Sequence, residues 1–388
     1  MSQIGSGIRL RPTSAFVVPL AQIDTLPAIL PLLSAIGIWV ASLQRIEPSA
    51  MSDIGLPSVM PYAVWLPHLL LSGGFFFLIY RQPTRIWLPS LYLVALVVVL
   101  HATPVIEYGM LRYPWAWKHL GVIDYIQRHG ALDRTSPILS AYHNWPGFFA
   151  ATAFIADLLG VRNLAAPARW ASLVLNLLYL AALPALYRSF TNDSRAILAA
   201  AWIFVTGNWI GQDYFSPQGI TYFLYLVMLG LCLRYLARPT LPKPASGPLS
   251  RAAAKFLQWS VRGLPDAPSL PNGVPRVIVT GAVLLLILAI TVSHQFTPLV
   301  AVLALGVLAV LRRVPFGIFL FAGVMVALWV LYAAAPFVAV ALPGEFRQFG
   351  LAVGHFSSNL ADISVVSPGQ AFVALICRLL TQIGRAHV

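Results

Sequence analysis

Charge is the scarcest commodity in this chain. Of 388 residues, 10% are charged and only 12 are acidic, while 59% are hydrophobic. A soluble domain carries about 25% charged residues, so a water-dissolved globule that hides its apolar surface is excluded, and a polytopic membrane protein is the default. Cysteine is almost missing: Cys232 and Cys377 both fall inside apolar segments, which argues against a disulfide framework. No metal-ligand spacing is present, so neither a metal nor another cofactor is expected. No internal repeat is visible, which weakens an inverted-repeat transporter. No small-residue cleavage site follows the apolar run after Arg9 and Arg11, so the first helix reads as retained rather than as a cleaved signal.

What is present is a series of apolar runs long enough to cross about 30 Å of hydrocarbon. They lie near 27–43, 59–80, 86–105, 170–187, 196–211, 218–236, 277–293, 297–311 and 315–341, with a short last run at 369–382. The expected fold class is therefore all-α: a polytopic transmembrane bundle of about ten spans, forming a single domain over 1–382. The run 145–160, WPGFFAATAFIADLLG, is short and carries Asp157. Counted as a span, it would put the basic loop 237–276 outside, against the positive-inside rule. Placed along the outer interface, or entering and returning, it leaves Arg9/Arg11, Arg81/Arg85, Arg188/Arg195, the loop 237–276 and Arg312/Arg313 all cytoplasmic, the N-terminus included.

The net charge of +13 then reads as membrane topology, and no nucleic-acid partner is expected. Within the loop 237–276, SRAAAKFLQWSVRGL places Phe256, Leu257 and Trp259 among Arg251, Lys255 and Arg262. That suits a short helix lying on an anionic leaflet. The acids Glu47, Asp53, Glu107, Asp124, Asp133, Asp157, Asp213, Glu345 and Asp362, by contrast, fall outside or at the outer boundary.

The outer segments hold the informative polar residues. GNWIGQDYFSPQGITYF (207–223) gathers Gln212, Asp213 and Gln218 in a turn between two spans, and SHQFTP (293–298) places His294 and Gln295 in the next outer turn. The outer loop with juxtamembrane helices covers 106–160. It opens on Glu107 at a span end, continues through Arg112, Lys118 and His119 in an amphipathic stretch 115–130, and reaches His143 and Asn144 in YHNWPGFF. In 115–130 the helical spacing of Trp115, Leu120, Ile123 and Ile126 predicts a surface helix with tryptophans at headgroup level.

This order resembles the GT-C superfamily of integral membrane glycosyltransferases. The residues that carry the likeness are Glu107 after a span, the amphipathic 115–130, the Pro-containing YHNWPGFF, the short apolar helix ending at Gly160, and Arg169 at the outer start of the next span. The likeness covers about half the chain and departs in one respect: three spans, where the usual layout has one, precede the acidic outer loop. It implies a polyprenyl-phosphate-linked sugar as donor, a cell-envelope glycan, lipid or protein as acceptor, and an active site on the outer face of a bacterial-type cell membrane. Such chemistry asks for a carboxylate to accept the acceptor's proton and for cationic or amide donors to steady the departing phosphate.

On that reading Glu107 and Asp213 are the catalytic candidates. The substrate-binding candidates are Arg112, Lys118, His119, His143, Asn144, Arg169, Gln212, Gln218, His294 and Gln295. Each has a plainer reading beside it, as span end, helix cap, turn former or headgroup contact. Two other classes stay open: a flippase or transporter of lipid-linked saccharide, and a non-catalytic scaffold in an envelope-biosynthesis complex. The last six residues, IGRAHV (383–388), resemble a translated sequencing adapter. The expectation is a non-native tail on a truncated chain, with the native sequence ending at or before Gln382.

Overall fold

The structure, a computed structural model, describes residues 26–81, 86–136, 138–208, 213–237, 248–262, 264, 275–340, 367–373 and 375–376. Gln212, the sequence beyond Ser367 apart from a short helical stretch, and the expected tail lie outside or largely outside these residues. Among the described residues the chain is all-helical, 79% helix with no strand. The apolar runs and the helices coincide closely, as expected of apolar segments, which in a lipid environment must pair every backbone N–H and C=O within themselves.

The first three helices are α1 (Leu26–Leu43), α2 (Trp65–Arg81) and α3 (Trp87–Tyr108). They close on a shared core that includes Ala35, Trp39, Phe75, Tyr92 and Leu96. Polar groups inside this core are paired: Trp39 Nε1 donates to Thr103 Oγ1 at 2.8 Å, and the Tyr92 hydroxyl donates to the Ala28 carbonyl. α3 stops at Gly109, whose φ of +63° is left-handed and whose N–H caps Val105 O, a conformation that favours glycine.

A cluster of short helices follows: α4 (Pro114–His129), α5 (Ser140–Asn144), α6 (Gly147–Leu158) and α7 (Ala165–Ala168). α4 is the helix expected over 115–130, with Pro114 at its first turn and Gly130 at its end. Of the expected apolar spacing, Ile123 is fully buried and Leu120 and Ile126 pack beside it, and further residues join that face. Ala116, His119, Val122 and Ile123 turn inward, while Trp115 and Trp117 are about half exposed. Close packing selects the small Ala116 and the flat His119 ring and leaves the tryptophans outside. α6 is 12 residues long, roughly 18 Å at 1.5 Å per residue, well short of a full hydrocarbon thickness. Phe148, Phe149 and Ala153 pack it onto Val122 and Ile123 of α4, and Gln127 Nε2 donates to Asp157 Oδ1 at 2.8 Å across the pair.

The rest of the bundle is α8 (Ala171–Tyr187), α9 (Ser194–Gly207), α10 (Pro217–Leu231), α11 (Pro248–Val261), α12 (Arg276–Ser293), α13 (Thr297–Val310) and α14 (Phe316–Leu328). α10 and α14 run on as single π turns, Cys232–Leu236 and Trp329–Ala333. α10, α12, α13 and α14 share a second core around Met228, Val283, Ile287 and Leu305. α8 joins the two halves, with Leu175, Tyr179 and Leu183 against Leu226.

Among the described residues, five helical stretches are long and apolar enough to cross a membrane: Tyr62–Arg81, Trp87–Tyr108, Pro217–Leu236, Arg276–Ser293 and Phe316–Ala333. The other apolar helices, including α8, α9 and α13, are shorter. Large apolar side chains point outward along the bundle, with Leu69, Leu285 and Leu303 each about 70% exposed. In water such a belt would be a liability, and it is compatible with a lipid environment.

Candidate functional site

The turn that precedes α10 is built by its own residues. Ser216 is extended (φ −154°, ψ 153°) and its side chain accepts from Gly219 N at 3.1 Å. Pro217 occupies the first helical position, where its missing N–H is no loss, and it biases Ser216 away from helical geometry. α8 grips this turn, since Tyr179 donates to the Gly219 carbonyl at 2.9 Å. The start of α10 is therefore held from two sides, and Asp213 is delivered into the bundle just ahead of it.

Asp213 is 5% exposed. A buried carboxylate without partners is strongly disfavoured, and this one has three. Ser172 Oγ lies 2.8 Å from Oδ2, Asn176 Nδ2 lies 2.5 Å from it, and His101 Nδ1 lies 3.3 Å from it. Asn176 is itself fixed, donating to Ser172 O at 2.9 Å and accepting from Asn208 Nδ2 at 2.7 Å. The network thus draws on α3, α8, the end of α9 and the turn before α10.

Beside it opens a cavity of about 300 Å³ whose walls include His101, Arg112, Arg169, Ser172, Asn208 and Asp213. Tyr113 and Tyr214 form another wall, with ring centroids 4.9 Å apart. Burial pushes both phenols above the ordinary tyrosine range, so they remain neutral. The Arg112 guanidinium lies over the Tyr113 ring at 4.6 Å and bonds its hydroxyl. Arg169 Nη1 donates to Gly109 O at 2.9 Å, while its Nε is buried without a partner among the described residues. One carboxylate, two guanidiniums and an amide thus face a volume walled elsewhere by Leu100, Val105 and Val205. That arrangement can hold a polar, anionic ligand next to a hydrogen-bond acceptor.

A second polar cluster adjoins it. His119, 1% exposed, contacts the Phe215 carbonyl through Nδ1 at 2.8 Å and stacks on Tyr214 at 5.8 Å and 3°. His294 Nδ1 takes Thr297 Oγ1 at 2.8 Å and Thr297 N at 3.1 Å, and Thr297 Oγ1 meets Thr221 Oγ1 at 3.1 Å. Burial lowers the His119 pKa, and burial followed by the neighbouring His119 pushes His294 down to about 4. Both rings are therefore neutral near pH 7. Gly147 allows α6 to reach this region, because a Cβ there would stand 2.4 Å from Ser293 Oγ and 2.6 Å from Val292.

The remaining sequence-predicted residues are placed as follows. Glu107, in the last turn of α3, is partly buried and does not line the cavity. Gln218 sits in the first turn of α10, where its carbonyl accepts from Thr221 at 3.2 Å. Gln295 is partly buried, with Oε1 unpartnered among the described residues. Lys118 Nζ rests 3.8 Å above the Trp115 ring at the surface. His143 Nδ1 accepts from Asp133 N at 3.3 Å, and its pKa is lowered by burial against the pull of Asp133. Asn144 is buried, donates to Ser140 O at 2.8 Å, and offers its carbonyl to Trp329 Nε1 at 3.1 Å. The structure brings Asp213, Arg112 and Arg169 together in one cavity, whereas Glu107, Gln218, His294 and Gln295 do not line it.

No family model, curated protein or solved structure matches the chain. The chemistry of the site carries the functional reading instead. Residues that the sequence reasoning passed over are His101, Ser172 and Asn176. A signal existed for His101 and Asn176: each is a hydrogen-bonding side chain in an otherwise apolar run, and such residues inside spans are functional candidates by default.

Proposed function

We propose that the chain is a multi-pass membrane glycosyltransferase of the GT-C kind, moving sugar from a polyprenyl-phosphate-linked donor to a cell-envelope acceptor on the outer face. The observation that carries this reading is the buried Asp213 on the wall of a cavity that also presents Arg112 and Arg169. A donor phosphate needs cations that are already in place, an acceptor hydroxyl needs a base within reach, and a lipid tail needs an apolar exit, which the outward belt of the bundle offers.

The proposal includes the topology. About ten spans are completed by the shorter helices α1, α8, α9 and α13 and by the run 369–382, with the N-terminus and the loop 237–276 in the cytoplasm. α4 to α6 lie along the outer boundary, and α11 lies on the anionic inner leaflet with Phe256 and Trp259, both exposed, turned into it. Asp213 is the carboxylate of the site.

The test is incubation of the purified full chain with a panel of polyprenyl-phosphate sugars, followed by donor binding and transfer to envelope acceptors. Transfer from one donor class supports the reading. Neither binding nor transfer with any donor removes it.

A further inference from the structure

Hydrogen accounting around Asp213 assigns a tautomer to His101. Asn176 Nδ2 carries two hydrogens. One goes to Ser172 O at 2.9 Å and the other to Asp213 Oδ2 at 2.5 Å. The amide cannot be turned over, since that would set two acceptors against each other at Asp213 and lose the bond from Asn208 Nδ2 to Asn176 Oδ1 at 2.7 Å. The 3.4 Å approach of Asn176 Nδ2 to His101 Nδ1 is then left without a hydrogen to share. Among the described residues, the favourable relation left to His101 Nδ1 is to carry a hydrogen and donate it to Asp213 Oδ2, 3.3 Å away. A neutral imidazole protonated on Nδ1 has its lone pair on Nε2. That Nε2 is buried and has no partner among the described residues, in a residue that lines the cavity. A buried acceptor without a donor calls for an explanation, and a hydroxyl brought in by a substrate is the partner it lacks.

We propose that His101 Nε2 is the proton acceptor of this cavity, that Asp213 positions it, and that the group served is the hydroxyl of a sugar or alcohol acceptor. The hydroxyl is specified by the glycosyl-transfer reading above and rests on it. In the step, the acceptor oxygen forms a bond to the anomeric carbon as its proton passes to Nε2. The bond from that carbon to the phosphate oxygen breaks, and its electron pair leaves on the phosphate, beside Arg112 and Arg169. The imidazolium so formed keeps its Nδ1–H on Asp213, and the carboxylate balances the new charge. The proton is later lost to water. An acid that holds the tautomer of a histidine and steadies its charge is the division of labour found in acid–histidine pairs generally.

The experiment uses the full chain in lipid nanodiscs with ¹⁵N-labelled histidine, the His101 signals being assigned by their loss in His101→Asn. The wild-type chain is expected to show His101 protonated on Nδ1, the less common tautomer in water, and Asp213→Asn is expected to move the population toward Nε2–H. Protonation on Nε2 in the wild type, or no change in Asp213→Asn, overturns the assignment. A second arm reads transfer. His101→Asn keeps a donor toward Asp213 and removes the base, so kcat should fall about 10²–10⁴-fold with KM little changed, and the acid limb of the pH profile should disappear. Unaltered kcat and pH profile overturn the role. Transfer by a wild-type chain protonated on Nε2 defeats this proposal alone. Absence of transfer from every donor defeats the glycosyl-transfer reading and the hydroxyl named here with it.

Discussion

Asn176 Nδ2 stands 2.5 Å from Asp213 Oδ2: one amide in the middle of the apolar helix α8 holds the buried carboxylate of the turn before α10. Its Oδ1 meanwhile holds Asn208 at the end of α9. Asn176→Leu should therefore do more than remove one bond, since it leaves Asp213 short of a donor and Asn208 without its acceptor. The expected loss is about 1–3 kcal/mol, seen as a lower thermal midpoint in detergent. Asn176→Asp, which sets two carboxylates together, should be worse. A midpoint unchanged by Asn176→Leu would show that the amide carries no load.

Acid should loosen the cluster around α4. His119 and His294 are neutral in the folded chain, with pKa values depressed by burial, that of His294 to about 4. The unfolded chain binds their protons from about pH 6.5 downward. Stability is thus full above that pH and declines as pH falls toward 4. For His294 the whole effect is on the order of 3 kcal/mol. Thermal midpoints measured from pH 7.5 to 4.5 should decline, and His294→Gln should flatten the decline. A midpoint that holds level down to pH 4.5 would contradict the burial of these rings.

Gly147 is where α6 meets α12. Gly147→Val should cost about 1–3 kcal/mol through overpacking, and pairing it with Ser293→Gly should recover part of that loss. The check is a double-mutant cycle in thermal stability, and strictly additive effects would place the contact elsewhere.

Topology gives a separate check. A reporter within 237–276 should be cytoplasmic and one within 106–144 external, and cysteines at positions 150 and 160 should react from the same outer side or be shielded there. Labelling of position 160 only from the cytoplasm would make α6 a span and reverse the placement of every later loop.

The helices were legible because hydropathy reports depth in the bilayer directly, and the cap at Ser216-Pro217 because its residue types have few other uses. Direction around each helix was much less legible. Glu107 follows His101 by six residues, about 240° further round α3, so a residue expected in the site does not line it while one not singled out does. Ser172 and Asn176 meet Asp213 across 41 and 37 positions of sequence, a pairing that no local pattern announces. Asp213 was legible for the opposite reason, as an acid among amides between two apolar runs.

The central claim is that Asp213 serves a sugar-transfer site, and the most direct measurement is transfer by Asp213→Asn beside the wild type, at equal folded yield. The substitution keeps the shape and removes the charge. Transfer should fall roughly 10²-fold or more, with the thermal midpoint nearly unchanged. Full transfer by Asp213→Asn would reduce the network to a structural clasp between helices and contradict the account.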